Sequence, residues 1–283
     1  MGIKLRPIKR LVVRQLDLGN IDDPILIFGG AYSNLQATQA LIEASRGHGI
    51  PAARCIFTGD SIAYCGNPSE TLNLLRDFGC PMIKGNCEIE LGFGSDTCGC
   101  GFEAGSTCDL LSQVWYTYAS QQVNSDQRRF MGSLPDHLIF THHGKRHVVI
   151  HGGYSNVSQF LFLTTDEVEY TRVINSVERD LGEIYVMIAG HSGLPFHKII
   201  KGVSWFNSGA IGMPANNGKS TTSYGILNAG QFTIHELSYD HHLAQATMIV
   251  SGLDQGYHNA LETGYWPSEE VLPIDLRRFV ESG

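Results

Sequence analysis

At 283 residues, 42% hydrophobic and 17% charged, the chain is long enough to bury one large core. Its net charge of −8 and its lack of any Lys/Arg run argue against nonspecific nucleic-acid binding, which relies on clustered positive charge. No segment reaches the apolar length of a membrane span. Residues 1–7 show no apolar leader core, and Arg6 stands where a lipidation signal at Gly2 needs Ser or Thr, so a cytoplasmic protein is expected.

Residues 24–29 read as a short buried strand and 29–34 as a tight turn. A helix is predicted over 35–45, where Leu35, Ala37, Ala40, Leu41 and Ala44 have helical spacing. A strand at 54–58, a loop at 59–67 and a helix at 68–78 follow, the helix opened by Pro68 and closed by Gly79. With a strand at 81–85, this alternation predicts parallel pairing. Residues 88–109 break the rhythm as an irregular Gly- and Cys-rich insertion. Next come a helix near 106–120, with Leu110, Leu111, Val114 and Trp115 on its apolar side, and a shorter one near 126–131.

The second half is richer in strands. Those at 137–141 and 146–150 flank a predicted hairpin turn that places His142 and His143 in solvent. A helix is expected over 165–181, then strands at 184–189, 197–200, 203–206, 223–228 and 231–236. His241 and His242 open a surface helix. Residues 1–250 are expected to form one domain, with an insertion at about 87–109, and 251–283 a tail packed on it.

Four apolar, strand-like runs end in residues that can ligate a metal: Thr58-Gly59-Asp60, Lys84-Gly85-Asn86, Ile150-His151-Gly152 and Ala189-Gly190-His191. One carboxylate, one amide oxygen and two imidazoles make a mixed O/N set suited to one divalent transition metal, Mn, Fe or Zn. Parallel strands place ligands at their carboxyl ends.

The order G-D, G-N, H-G, G-H on this scaffold resembles the calcineurin-like metallophosphoesterases, especially their small prokaryotic phosphodiesterase-type members, over roughly residues 24–250. No one of these dipeptides is specific; the four in order are. The resemblance implies a four-layer α/β/β/α sandwich of two mixed β-sheets with outer helices, and a hydrolase acting on a small phosphorylated molecule. Such proteins hold two metals. The set implied for the second is complete here as Asp60, Asn86, His151 and His191. The set for the first is not: Gly30 and Tyr32 stand where its D-x-H motif should be, and Gly193 replaces the last His of G-H-x-H. Cys87 stands at the catalytic His of G-N-H-D/E, beside Glu88.

The losses remove one metal and leave the other. The expectation is therefore an altered, single-metal site in which Tyr32 and Cys87 are the candidate catalytic groups. Tyr32 can fill the vacated volume, donate to a substrate oxygen or ligate; Cys87 can be ligand, acid or nucleophile. The alternative is an inactive relative that binds a ligand or senses metal or redox state through its cysteine loop. Cys87, Cys98, Cys100 and Cys108 (C-x10-C-x-C-x7-C) can hold a Zn or iron–sulfur centre, or can simply pack a tight loop. Cys55, Cys65 and Cys80 read as packing residues. No nucleic-acid or membrane partner is expected, and homo-oligomerisation is left open.

Overall fold

The computed structural model describes residues 14–278; the expectations for residues 1–7 lie outside them. The first half contains β1 (Gln15–Asn20), β2 (Ile25–Phe28), α1 (Leu35–Gly47), β3 (Cys55–Phe57), α2 (Pro68–Phe78), α3 (Asn86–Phe93), α4 (Thr107–Gln122) and α5 (Ser125–Ser133). The second contains β4 (His137–His142), β5 (Lys145–Val149), α6 (Glu167–Leu181), β6 (Val186–Ala189), β7 (Pro195–Ile200), β8 (Val203–Ser208), β9 (Thr222–Asn228), β10 (Gln231–Leu237), α7 (His241–Val250) and α8 (Tyr257–Thr263).

One sheet runs β1-β4-β5-β6-β8-β7 and the other β10-β9-β2-β3. Both are mixed: β2 pairs parallel with β3 and antiparallel with β9, and β5 pairs parallel with β6 and antiparallel with β4. Successive side chains point to opposite faces of a strand, and here both faces are apolar. From β2, Ile25 and Ile27 meet Val149, Val186 and Ile188 of the other sheet. Leu26 and Phe28 turn outward onto Leu41 of α1 and Leu75 of α2. From the other sheet, Val148 and Met187 turn outward onto Tyr170, Val173 and Val177 of α6. Continuous runs such as Ile25-Leu26-Ile27-Phe28 are what burial on both faces requires. The result is the expected four-layer α/β/β/α sandwich.

Several local expectations change. The strand expected at 81–85 is a single bridge between Phe57 and Met82. Its chain then enters α3 rather than an irregular loop, because the Glu88 carboxylate accepts from the Gly85 N–H at 2.7 Å and caps the first turn. Only the stretch from Gly94 to α4 stays irregular. In α4, Leu110 and Val114 are exposed, while Cys108, Ser112, Trp115, Tyr116 and Ala119 face inward. The buried stripe is thus rotated from the one predicted. His142 is buried, with Nδ1 2.6 Å from the Ile21 carbonyl and Nε2 accepting from the Gly230 N–H. Beyond residue 250 the chain does more than cover a surface: Leu253, Tyr257, Ala260 and Leu261 join the cluster that buries Trp115. Cys55, Cys65 and Cys80 are buried as expected. Among the described residues no helix is long and apolar enough to cross a membrane.

Candidate metal centre

The carboxyl ends of β3, β5 and β6 meet where the two sheets adjoin. The loop after β3 carries Asp60, the residue after Ile150 is His151, and Gly190-His191 follows β6. Asn86 is the first residue of α3. His151 Nε2 lies 3.2 Å from Asp60 Oδ2, 3.2 Å from Asn86 Oδ1 and 3.1 Å from His191 Nδ1. The structure therefore gathers all four sequence-predicted ligands around one point.

Their lone pairs face that point. His151 Nδ1 is 2.7 Å from the Thr58 carbonyl, which can only accept, so the proton of the neutral ring sits on Nδ1 and Nε2 is free. The Asn86 amide is fixed by its Nδ2, which donates to the Cys98 carbonyl at 3.0 Å and leaves Oδ1 turned to His151. His191 Nε2 is buried without a hydrogen-bond partner. Asp60 Oδ2, Asn86 Oδ1 and His191 Nδ1 thus lie within 3.2 Å of His151 Nε2, and each of the four atoms can offer a lone pair once the site gives up its protons. The donor set fits a divalent metal.

The backbone is shaped for this. Asp60 and His191 are left-handed, with φ of 63° and 59°, a conformation costing about 1–3 kcal/mol per non-glycine residue and held only where neighbours enforce it. The motif glycines are required by close approach. A Cβ on Gly85 would sit 2.2 Å from Asp60 Oδ1, and one on Gly59 2.6 Å from His151 Nδ1. Glu88 ties the loop together, accepting from the N–H groups of Asp60, Ser61 and Gly85 and from the Ser61 hydroxyl. Asn207 donates to the Gly190 carbonyl at 2.8 Å and steadies the His191 turn. Sequence reasoning gave neither Glu88 nor the Thr58 carbonyl a role. The spacing from Gly85 to Glu88, three residues at a helix start, was the available signal for the first.

Burial opposes charge on Asp60, but His151 and His191 outweigh it and hold the carboxyl below its usual range. Burial likewise opposes charge on His151, and Asp60 reverses that, leaving it raised. Burial and the neighbouring His151 push His191 down to about 3, so its ring stays neutral. Burial and then the Asp60 charge keep the Tyr32 phenol and the Cys87 thiol protonated.

Tyr32 packs against the two glycines that the resemblance places at first-metal positions. Its ring carbons lie 2.7 and 2.9 Å from where a Cβ on Gly30 would project, and its hydroxyl 3.7 Å from where one on Gly193 would. Gly30 and Gly193 thus both face the Tyr32 side chain. Above His191 a narrow cavity of about 40 Å³ remains, walled by Tyr32, Phe160, Tyr257 and Trp266, with no Lys or Arg in its lining. Phe160 stacks on His191 at 4.2 Å. Cys87 is buried and is not part of this lining.

Of the four loop cysteines, Cys87 and Cys100 lie against Asn86. Cys98 and Cys100 form a disulfide, and Cys108 sits apart, beside Ser268 and Val271. Among the described residues these sulfurs do not converge on one point as Asp60, His151 and His191 do. A second grouping, Asp22, His142 and His143, brings potential ligand atoms together. Both His142 nitrogens are already engaged, so it offers no lone pair.

No family model matches the chain. An uncharacterized protein of Methanocaldococcus jannaschii is 22% identical over 237 residues, spanning 78% of this chain and 89% of its own. A metallophosphoesterase from Sphaerobacter thermophilus superposes with a TM-score of 0.66 at 19% identity, covering 86% of this chain and 100% of its own. A hypothetical protein from Pyrococcus horikoshii OT3 superposes with a TM-score of 0.68 at 13% identity, covering 85% of this chain and 98% of its own. With two mixed sheets, outer helices and ligands at the strand ends, this chain has the fold of the calcineurin-like metallophosphoesterases.

Proposed function

We propose that the chain is a metal-dependent phosphoester hydrolase that works on a small phosphorylated molecule with one divalent transition metal, Mn, Fe or Zn, in the cytoplasm its sequence suggests. The observation that carries this reading is the convergence of three potential ligand atoms within 3.2 Å of His151 Nε2. Asp60, Asn86, His151 and His191 would hold the ion. When bound, it supplies a Lewis acid that polarises a phosphoryl oxygen.

The chain's own groups do the rest. Thr58 fixes the His151 tautomer, and Glu88 fixes the loop that carries Asp60. Tyr32, kept protonated, presents an O–H at the edge of the cavity over His191, where it donates to a substrate oxygen. Its ring takes the volume that a first-metal ligand set would need. Cys87 donates its backbone N–H to Asp60 Oδ1 at 3.2 Å and packs its thiol against Asn86, acting on the site through those two ligands.

A second reading, a ligand-binding relative without turnover, draws on the tyrosine-filled first-metal position and the uncharged cavity walls. Bis(p-nitrophenyl) phosphate hydrolysis by Mn²⁺-loaded protein tests the first reading. Turnover that requires the metal and disappears in Asp60→Asn and His191→Ala supports it. Loaded protein that turns over neither this diester nor aryl monoesters supports the second.

A further inference from the structure

One group of reactive atoms beside the metal centre has no part in that reading. The irregular segment after α3 brings Cys98 and Cys100 together in a disulfide across Gly99. Gly99 is left-handed, with φ of 60°, and the Ser158 hydroxyl donates to its carbonyl, pinning the turn. This turn lies directly against Asn86. The Asn86 Nδ2 donates to the Cys98 carbonyl at 3.0 Å and approaches the sulfurs of Cys100 and Cys87 at 3.5 Å each. The other end of the same carboxamide, Oδ1, faces His151 Nε2 at 3.2 Å. One planar amide therefore spans from the sulfurs to the metal point. It cannot turn at one end without turning at the other.

Both cysteines are nearly buried, Cys98 5% and Cys100 6% exposed, but each lines a groove. This groove, of about 390 Å³, is lined also by Asp96, Thr97 and Gln113 and not by His191 or Tyr32. A small thiol can approach through this groove without entering the metal centre.

We propose that Cys98–Cys100 is a redox-active pair whose state sets the metal affinity of the centre through the Asn86 carboxamide. The coupling rests on the reading that Asn86 is a metal ligand; the redox activity of the pair does not. A dithiol reductant attacks one sulfur of the pair. The Cys98–Cys100 bond breaks, a mixed disulfide forms, and the second thiol of the reductant resolves it. Two electrons and two protons pass to the pair, and the reductant leaves as its own disulfide. Oxidised, the closed turn holds the Cys98 carbonyl and the Cys100 sulfur on Nδ2, which keeps Oδ1 aimed at the metal point. Reduced, the Cys100 sulfur is free to move from Nδ2, the amide loses part of its clamp, and the site holds metal less tightly.

The test uses the full chain. Protein equilibrated in oxidised and reduced dithiothreitol mixtures is quenched with iodoacetamide and mapped by mass. Cys98 and Cys100 should titrate together as one two-electron couple. Oxidised protein, and protein reduced with a phosphine that is then removed anaerobically, are titrated with Mn²⁺ while free ion is read by electron paramagnetic resonance. The reduced form should bind at least fivefold more weakly. Cys98→Ser and, separately, Cys100→Ser should bind like the reduced form in either condition. Cysteines that stay thiols under oxidising conditions overturn the redox pair, as does a co-purified ion held by their thiolates that blocks alkylation. Equal Mn²⁺ affinity in the two states overturns the coupling. No Mn²⁺ binding in either state overturns the metal reading and the coupling with it, while the alkylation map still decides the redox pair.

Discussion

Glu88 touches no proposed substrate and ligates nothing, yet its replacement should be among the most damaging conservative changes at the site. Oε2 accepts from the N–H groups of Asp60 at 2.9 Å and Gly85 at 2.7 Å, and Oε1 from the N–H and the hydroxyl of Ser61 at 2.6 Å each. Burial and the Asp60 charge push this carboxyl up, against those donors. Three of the four are backbone N–H groups that can only donate, so the geometry favours the ionised form even though the Ser61 hydroxyl could rotate to accept a proton. In Glu88→Gln the amide NH₂ is best turned toward Ser61, whose hydroxyl can rotate to accept. The Ser61 N–H is then stranded, at about 1–3 kcal/mol, and the two bonds to the remaining oxygen each weaken by about 1 kcal/mol on losing their charge. The sum is about 4 kcal/mol, or roughly 5–8 °C in Tm for a chain of this size. Differential scanning calorimetry should show it, with the exposed Glu43→Gln, which breaks an ion pair to Arg46, shifting little. A Glu88→Gln protein melting within about 2 °C of wild type would refute the clamp, since one stranded donor alone should cost about that much.

Tyr32→Phe removes one hydroxyl and keeps the ring that fills the first-metal position, so bound metal per chain should not change while diester turnover falls about 10- to 100-fold, the worth of a hydrogen bond to a charged group. Metal analysis by plasma mass spectrometry checks the first half and steady-state kinetics the second. Asp60→Asn and His191→Ala should each leave well under a tenth of an equivalent of metal after dialysis, because the remaining donors no longer close around the ion. Stability should also fall in mild acid. His137 and His147 are buried and pushed down to about 4 by desolvation, against about 6.5 in the unfolded chain. Between those values the unfolded state binds more protons, so stability is full above about pH 7, declines as the pH falls through 6.5 and levels off below about 4. Urea unfolding between pH 7.5 and 4.5 should show the decline, with a shallower one in His147→Gln; equal slopes would remove His147 from the account.

Much of this was legible because the signals were local. Pro68 and Gly79 bracket α2 as expected, and Gly79 takes the left-handed conformation its position requires. The four candidate ligands could be singled out because each follows a short apolar run, and three of them, Asp60, His151 and His191, follow strands whose ends adjoin. What stayed hidden depends on tertiary contact. Helix α3 lacks a strong amphipathic stripe and is started by Glu88, whose second set of partners, Asp60 and Ser61, lies about 27 residues away in sequence. On α4 Trp115 is buried as expected, but Tyr116, Cys108 and Ser112 join it while Leu110 and Val114 stay outside, since the packing partners that choose the face lie elsewhere in the chain. His142 looked like a turn residue, but the Ile21 carbonyl and the Gly230 N–H, both remote in sequence, take its two nitrogens. That Tyr32 packs against both Gly30 and Gly193, far apart in sequence, could not be read from the motif alone.

The most direct measurement is an anomalous-difference map from crystals of Mn²⁺- or Zn²⁺-loaded protein, with data on both sides of the metal absorption edge. The account predicts one peak, bounded by Asp60 Oδ2, Asn86 Oδ1, His151 Nε2 and His191 Nδ1, with the Tyr32 ring filling the space beside it. A second peak at the Tyr32 position, or a sole peak among the cysteine sulfurs, would contradict it.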